Sequence, residues 1–343
     1  MNKRATLRLE DKATRKILFY AVGLAVIVLM TLIGGTFLKN SQINIINTGM
    51  IFFFCVAGQY LLLGLGGMLC MCSITFLGLG AFVCAYMNTK QGMPIIPAML
   101  VGAVVTAIFA LILGLLLLRL EGPYFVFGTI GVTYIGTSVF QNFAAFTGGP
   151  NGTSGIEKLT LFGYRFGTFK SWIPLLGIMV LLLLALMYRI KDTSFGRSLM
   201  AVRDDETAAA TMGVNVYRTK VIAFTLAGLL AGFGGSVYAA HNGTISASLF
   251  TFTSQTEFVI MLMLGGVMSP VGAFCGTMLV RWLPEMARAV DKYLNLVYGI
   301  AIVLLMIFMP MGLAGIAKDQ YARFRRKRKA RMKEAKEEEH VVS

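Results

Sequence analysis

The chain has 343 residues, of which 57% are hydrophobic and only 14% charged; its mean hydropathy is +0.74 and its net charge +15. An ordinary soluble domain carries about 25% charged residues, and one of this size could not hide so much apolar surface, which excludes a soluble enzyme, a disordered chain and, despite the positive charge, a nucleic-acid-binding domain. The apolar runs are continuous rather than alternating, so helices rather than a β-barrel are the expected spanning elements.

In chain order, a basic segment over 1–16 precedes the apolar run Ile17–Phe37. That run is longer than a signal-peptide core and ends in Gly34-Gly35-Thr36-Phe37 rather than an A-x-A site, so it is read as an uncleaved span. Ile45–Leu63 and Ile74–Met87 follow, divided by Gly64-Leu65-Gly66-Gly67. Ile95–Leu118, Tyr124–Phe143 and Trp172–Arg189 come next, then a polar stretch over 191–220 and the run Val221–Ala240. Glu257–Met268 and Val271–Ala289 form a pair broken at Ser269-Pro270, and Leu296–Ile316 is last. The expected fold is an all-α polytopic membrane protein of about ten transmembrane helices. Small residues at spacing four (Ala227-Ala231-Gly235, Gly228-Gly232, Gly272-Gly276) suit close packing within the bundle.

Charge gives the orientation. Residues 1–16 hold six Lys/Arg and two acids, 189–220 six and four, and 318–343 ten and five. An even number of spans puts all three stretches on one side, and the positive-inside rule makes that side the cytoplasm. The domain plan is then a cytoplasmic segment 1–16, a membrane domain 17–316 with a cytoplasmic loop 191–220 and an outer loop 143–171, and a charged cytoplasmic tail 317–343. Arg281, Glu285 and Arg288 fall at the outer side in this plan and are read as a salt-bridged interfacial helix end, since Glu285 stands four residues after Arg281 and three before Arg288. Glu121 and Glu257 are read as span-end anchors.

Catalytic signatures are missing. There is no GxxxxGK[ST] phosphate loop, no GxSxG and no HExxH. The only histidines are His241 and His340, and Cys55, Cys70, Cys72, Cys84 and Cys275 all lie in apolar runs as small hydrophobes. We therefore expect no enzyme activity, no metal and no cofactor bound by the chain itself.

The polar stretch carries the most information. Ser194-Phe195-Gly196-Arg197 reads as a turn, followed by a short amphipathic helix with Leu199, Val202 and Ala208–Met212 along it. Asp204, Asp205 and Glu206 suit a helix N-terminus, and Gly213 suits its exit. A short exposed helix with an alanine face is shaped to enter a groove on another protein. The segment resembles the EAA loop of ABC-transporter permeases, with Glu206, Ala208, Ala209 and Gly213 at the motif positions. Phe195-Gly196-Arg197 before Arg203-Asp204-Asp205-Glu206, and Gly213-Val214-Asn215 after, resemble the branched-chain amino acid permease family, LivM type. The likeness continues through Lys220–Phe224, Ala227–Gly232 and Tyr238-Ala239, and returns in Thr147-Gly148-Gly149-Pro150-Asn151-Gly152 with Gly155-Ile156, in Leu264–Val267, Leu283-Pro284-Glu285 and Met309–Gly315.

The resemblance implies the membrane subunit of an ABC importer in a bacterial cytoplasmic membrane. Its partners would be two ATP-binding subunits, which use ATP and Mg, a second permease subunit and an extracytoplasmic solute-binding protein. Arg203, Asp204, Asp205, Glu206, Ala208, Ala209 and Gly213 would form the docking loop. Thr147, Gly148, Gly149, Asn151, Gly152 and Gly155 would form an outer gate or docking surface. The implied cargo is a branched-chain amino acid. Two departures bear on it: the family's polar run after the paired glycines is replaced by Met68–Ser73, and a family acid in the fifth span by Tyr134, which makes Ser73 and Tyr134 candidate path residues. Another solute within the family, or a stand-alone facilitator for a small solute such as urea, are the alternatives; the docking loop argues against the latter.

Overall fold

The computed structural model describes residues 39–120, 122–161 and 163–287. The expected spans Ile17–Phe37 and Leu296–Ile316, and the two charged ends, lie outside the described residues. Eight long helices fall where the sequence places apolar runs: α1 (Asn40–Gln59), α2 (Ser73–Thr89), α3 (Ile95–Leu117), α4 (Pro123–Asn142), α6 (Phe169–Asp192), α9 (Val216–Asn242), α10 (Phe252–Gly265) and α11 (Pro270–Ala287). Three short ones, α5 (Ala144–Thr147), α7 (Ser194–Asp204) and α8 (Glu206–Thr211), lie in the connections. Among the described residues, five helical stretches are long and apolar enough to cross a membrane: α1 with its extension to Leu65, α3, α4, α6 and α9. Helix α2 is apolar but shorter.

The centre of the bundle is α1, α2 and α9. Phe53, Tyr60, Phe76, Phe82 and Phe224 are fully enclosed there. Helix α9 lies against α1, α2 and α3 because small residues let backbones meet. A Cβ at Gly80 would run into the Gly232 backbone, one at Gly235 into the Leu77 carbonyl, and one at Gly228 into Ala110. The spacing-four glycines of α9 thus serve packing inside the bundle. Gly272 and Gly276 do the same for the α10–α11 hairpin, against Gly265 and the Met261 carbonyl.

Helices α3 and α4 form the rim. Leu100, Val104, Ile108, Leu111 and Leu115 make an exposed apolar stripe along one face of α3, spaced as a lipid-facing helix requires. Threonines within the spans bond back to the carbonyl one turn earlier: Thr106 to Gly102 at 2.7 Å, Thr225 to Val221 at 2.9 Å and Thr277 to Ala273 at 2.8 Å. Their hydroxyls are therefore satisfied without water.

Among the described residues, two breaks divide the long helices. Helix α1 runs into a π-helical turn, Tyr60–Leu65, and then an irregular segment over 66–72 before α2. Helices α10 and α11 are separated by 266–269. At the end of the bundle away from α7 and α8, the connection between α4 and α6 forms two small antiparallel pairings: β1 (Thr153–Ser154) with β4 (Thr244–Ile245), and β2 (Thr160–Leu161) with β3 (Tyr164–Arg165).

Candidate functional site

The segment between α6 and α9 is two helices rather than a turn and one helix. Ser194–Arg197 is the first turn of α7, because the Thr193 hydroxyl accepts the Gly196 N–H at 3.2 Å and caps it. Gly196 fits against the Ile190 carbonyl, where any side chain would collide. Leu199 and Val202 are buried against the bundle. Asp205 then leaves the helical conformation, and its carboxylate accepts the Ala208 N–H at 2.9 Å, ending α7 and starting α8. Glu206 sits in the first turn of α8, where the helix dipole favours an acid. Gly213 follows at φ +85°, a conformation that a residue with a Cβ adopts only with strain, and its N–H closes on the Ala210 carbonyl at 3.0 Å.

The alanine face divides. Ala209 is buried against its own chain, whereas Ala208 and Ala210 are exposed and Met212 is 85% exposed. Ala209 is therefore a seat for α8 on the bundle, and the free face comprises Ala208, Ala210, Thr211 and Met212. The reason is helical geometry: at 100° per residue, neighbouring alanines cannot share a face.

Arg203 is not part of the free face. Its Nη1 donates to the Gly64 carbonyl at 3.0 Å, inside the π-helical turn, and to the Met268 sulfur at 2.7 Å, inside the α10–α11 break. Its Nη2 pairs with Asp204 at 2.9 Å. Gly67 lies under the Arg203 stem and Gly66 under Leu199. Lys191 reaches the Met268 carbonyl at 3.4 Å. Both helix breaks are thus tied to α7 and its approach. Lys220 of α9 pairs with Glu206 at 2.5 Å, and Tyr217 donates to the Leu115 carbonyl at 2.8 Å, fixing the far side of the segment to α3.

Residues 66–72 are held by side chains from three helices. The Gln59 amide donates to the Cys70 carbonyl and the Ser73 hydroxyl, both at 2.9 Å. Gln255 of α10 accepts the Ile74 N–H at 2.8 Å. From α4, Thr129 accepts the Met71 N–H at 3.1 Å and Thr133 donates to the Met71 carbonyl. Irregular backbone at membrane depth persists only where protein satisfies it, and these four polar residues do so. Ser73 is buried in this set. Tyr134 is 58% exposed and stacks on Phe252 with centroids 5.5 Å apart, so the structure does not bring Ser73 and Tyr134 together. Sequence reading missed Gln59, Thr129, Thr133 and Gln255; an amide inside an apolar run was the available signal.

At the opposite end, Thr147 is fully buried and donates to the Phe140 and Phe143 carbonyls at 2.8 and 3.0 Å, while its own carbonyl accepts from Thr153 at 3.0 Å. Gly148, Gly149, Gly152 and Gly155 all have positive φ. Gly152 lies directly on the Ile245 carbonyl, so β1 pairs with β4 only because residue 152 has no side chain. Asn151 and Gly155 are exposed. Asn88, at the end of α2, accepts the Glu157 N–H at 2.8 Å and fastens the loop from below. No group of three or more His, Cys, Asp or Glu residues that could hold a metal occurs among the described residues.

Residues 41–309 match the family described as branched-chain amino acid transport system, permease component. The chain belongs to that family. Across 82% of its length it is 30% identical to the high-affinity branched-chain amino acid transport system permease LivM of Salmonella typhimurium, of which it covers 72%, and equally to LivM of Escherichia coli. A shorter match, 32% over 133 residues (38% of this chain and 41% of the relative), is to the nucleoside ABC transporter permease NupC of Lactococcus lactis. No solved structure matches. The permease relatives and the apolar helices together make this a multi-pass membrane protein, and its relatives are transport subunits rather than enzymes.

Proposed function

We propose that this permease is the membrane subunit of an ABC importer for a small polar solute, with branched-chain amino acids as the first candidates. The observation that carries the reading is α8: a six-residue helix capped at both ends, seated by Ala209 and presenting Ala208 and Met212 outward. A bare apolar side chain such as Met212 costs free energy in water and gains it back in a partner's groove. The ATP-binding subunits would dock there and supply ATP hydrolysis with Mg; this chain contributes no nucleotide site. Arg203 would pass the movement of α7 and α8 to both helix breaks. A second permease would complete the pathway, and a solute-binding protein would deliver cargo to the β1–β4 end. On this reading the α8 end faces the cytoplasm of a bacterial cell, as do both termini.

The amino-acid cargo is supported by the long match to LivM, whereas the shorter matches include permeases named for other solutes. The test is to co-express the chain with ATP-binding, second-permease and binding-protein partners and to measure uptake of labelled leucine into proteoliposomes. ATP-dependent uptake that is lost on Ala208→Arg supports the reading. Uptake without ATP or without ATP-binding subunits would overturn it.

A further inference from the structure

The charge at the β1–β4 end runs against the bias that orients the chain. Among the described residues, the connections there carry five cations, Lys39, Lys90, Lys158, Arg165 and Lys170, against one acid, Glu157. Membrane proteins collect Lys and Arg on the cytoplasmic side, and on the importer reading this end faces outward. Topology therefore gives no reason for the cluster. The α8 end is built differently: acids stand among its cations and pair with them, Asp204 with Arg203 and Glu206 with Lys220.

Bonds through the outer connection gather the cations. Asn88 holds Glu157 twice, accepting its N–H at 2.8 Å and donating to its carboxylate at 3.2 Å. This brings the end of α2, with Lys90, to Glu157 and Lys158. The Lys158 Nζ donates to the Gly167 carbonyl at 2.6 Å, and the Phe166 N–H to the Leu159 carbonyl at 2.9 Å. Between them, Arg165 stands opposite Thr160 in the β2–β3 pairing. The Phe169 carbonyl accepts the Asn47 amide at 2.8 Å and so joins the start of α6, with Lys170, to α1, which begins after Lys39. Lys39, Lys90, Arg165 and Lys170 are exposed.

The β2–β3 hairpin has a firm mount. Trp172 is 1% exposed, and its Nε1 donates to the Phe166 carbonyl at 3.0 Å. Tyr164 meets the Phe166 ring edge-on at 5.2 Å, yet it is 61% exposed. Tyr and Arg are the residues that most often anchor protein interfaces, and groups ordered before binding lose less entropy on docking. Fluid lipid headgroups need no fixed shape, whereas a protein face does. The sign of the cluster sets the chemistry of that face.

We propose that the β2–β3 hairpin, with Tyr164 and Arg165, and the neighbouring Lys90 form a docking surface for an acidic face of the solute-binding protein. The inference rests on the importer reading and deepens it by stating the chemistry of the partner's surface.

The experiment uses the assembled transporter in nanodiscs and the purified binding protein that supports uptake in proteoliposomes, with association followed by biolayer interferometry. Wild-type association is expected to slow about tenfold between about 50 and about 300 mM salt. The double variant Lys90→Glu/Arg165→Glu should weaken affinity about tenfold at low salt, mainly through slower association, and the difference should close at high salt. Its thermal unfolding should match the wild type. Arg165→Lys should keep most of the affinity, and Tyr164→Ala should speed dissociation without changing the salt dependence. Salt-independent association of the wild type overturns the proposal without recourse to any variant, as does wild-type affinity in the double variant. A loss seen in phosphatidylglycerol discs but not in phosphatidylcholine discs would assign the cluster to lipid headgroups and overturn it too. ATP-driven uptake by the wild type together with unaltered docking of the double variant would remove this surface alone and leave the importer reading standing.

Discussion

The two ends of the bundle are joined by different means. At the β1–β4 end, backbone meets backbone: Gly152 lies on the Ile245 carbonyl, and Ile156 donates to the Gly243 carbonyl at 3.2 Å. At the α8 end, long side chains cross the gaps: Arg203 to Gly64 and Met268, Lys191 to Met268, Lys220 to Glu206 and Tyr217 to Leu115. Backbone pairing has one geometry and fails when anything is inserted. A side-chain strut can swing among rotamers while keeping its partner. The first construction makes a fixed cover and the second a linkage with travel.

Six substitutions sharpen or break that contrast. The largest loss of stability is expected for Gly152→Val, which combines strain at φ +71° with a collision at Ile245; about 3 kcal/mol is expected, read by denaturant unfolding in detergent. The same change at Gly155, whose Cβ would meet open space, should cost about 1 kcal/mol; equal losses at the two positions would remove the case for a fixed cover. Arg203→Gln should cost about 1 kcal/mol in stability but lower ATP-driven uptake about tenfold while ATP-binding subunits still co-purify. Uptake at the wild-type rate would show that the strut transmits nothing.

Ala208→Arg and Ala209→Arg separate the two sides of α8. The first should leave thermal stability unchanged, within about 0.5 kcal/mol, and weaken co-purification of the ATP-binding subunit. The second should destabilise the permease itself, because residue 209 is enclosed. Reversed outcomes would mean that α8 presents its other face. The smallest effect is assigned to Glu206→Gln: its carboxylate is 58% exposed, and a pair of that kind contributes about 0–1 kcal/mol.

The long helices were legible because their signal is local and repeated. The run Ile95–Leu118 appears as Ile95–Leu117, and Tyr124–Phe143 as Pro123–Asn142. The division of the polar segment was less so. Phe195-Gly196-Arg197 carries turn-like glycine, but Thr193 caps it into a helix, and a single carboxylate at Asp205 decides where α7 stops and α8 starts. The alanines were visible as a group, yet their split into Ala208 outward and Ala209 inward depends on how α8 is seated. Ser73 was noticed in isolation; its partners lie at 59, 129, 133 and 255, and no spacing rule joins residues that far apart.

The glycine seam between α2, α3 and α9 has a mechanical consequence. Where carbonyls and Cα atoms already touch, there is no layer of side chains to shear, compress or repack. These three helices therefore form a stator. Any cycle of opening and closing in this permease has to turn about that block, and among the described residues the hinges next to it are the stretches where its long helices give up regular geometry, 60–72 and 266–269.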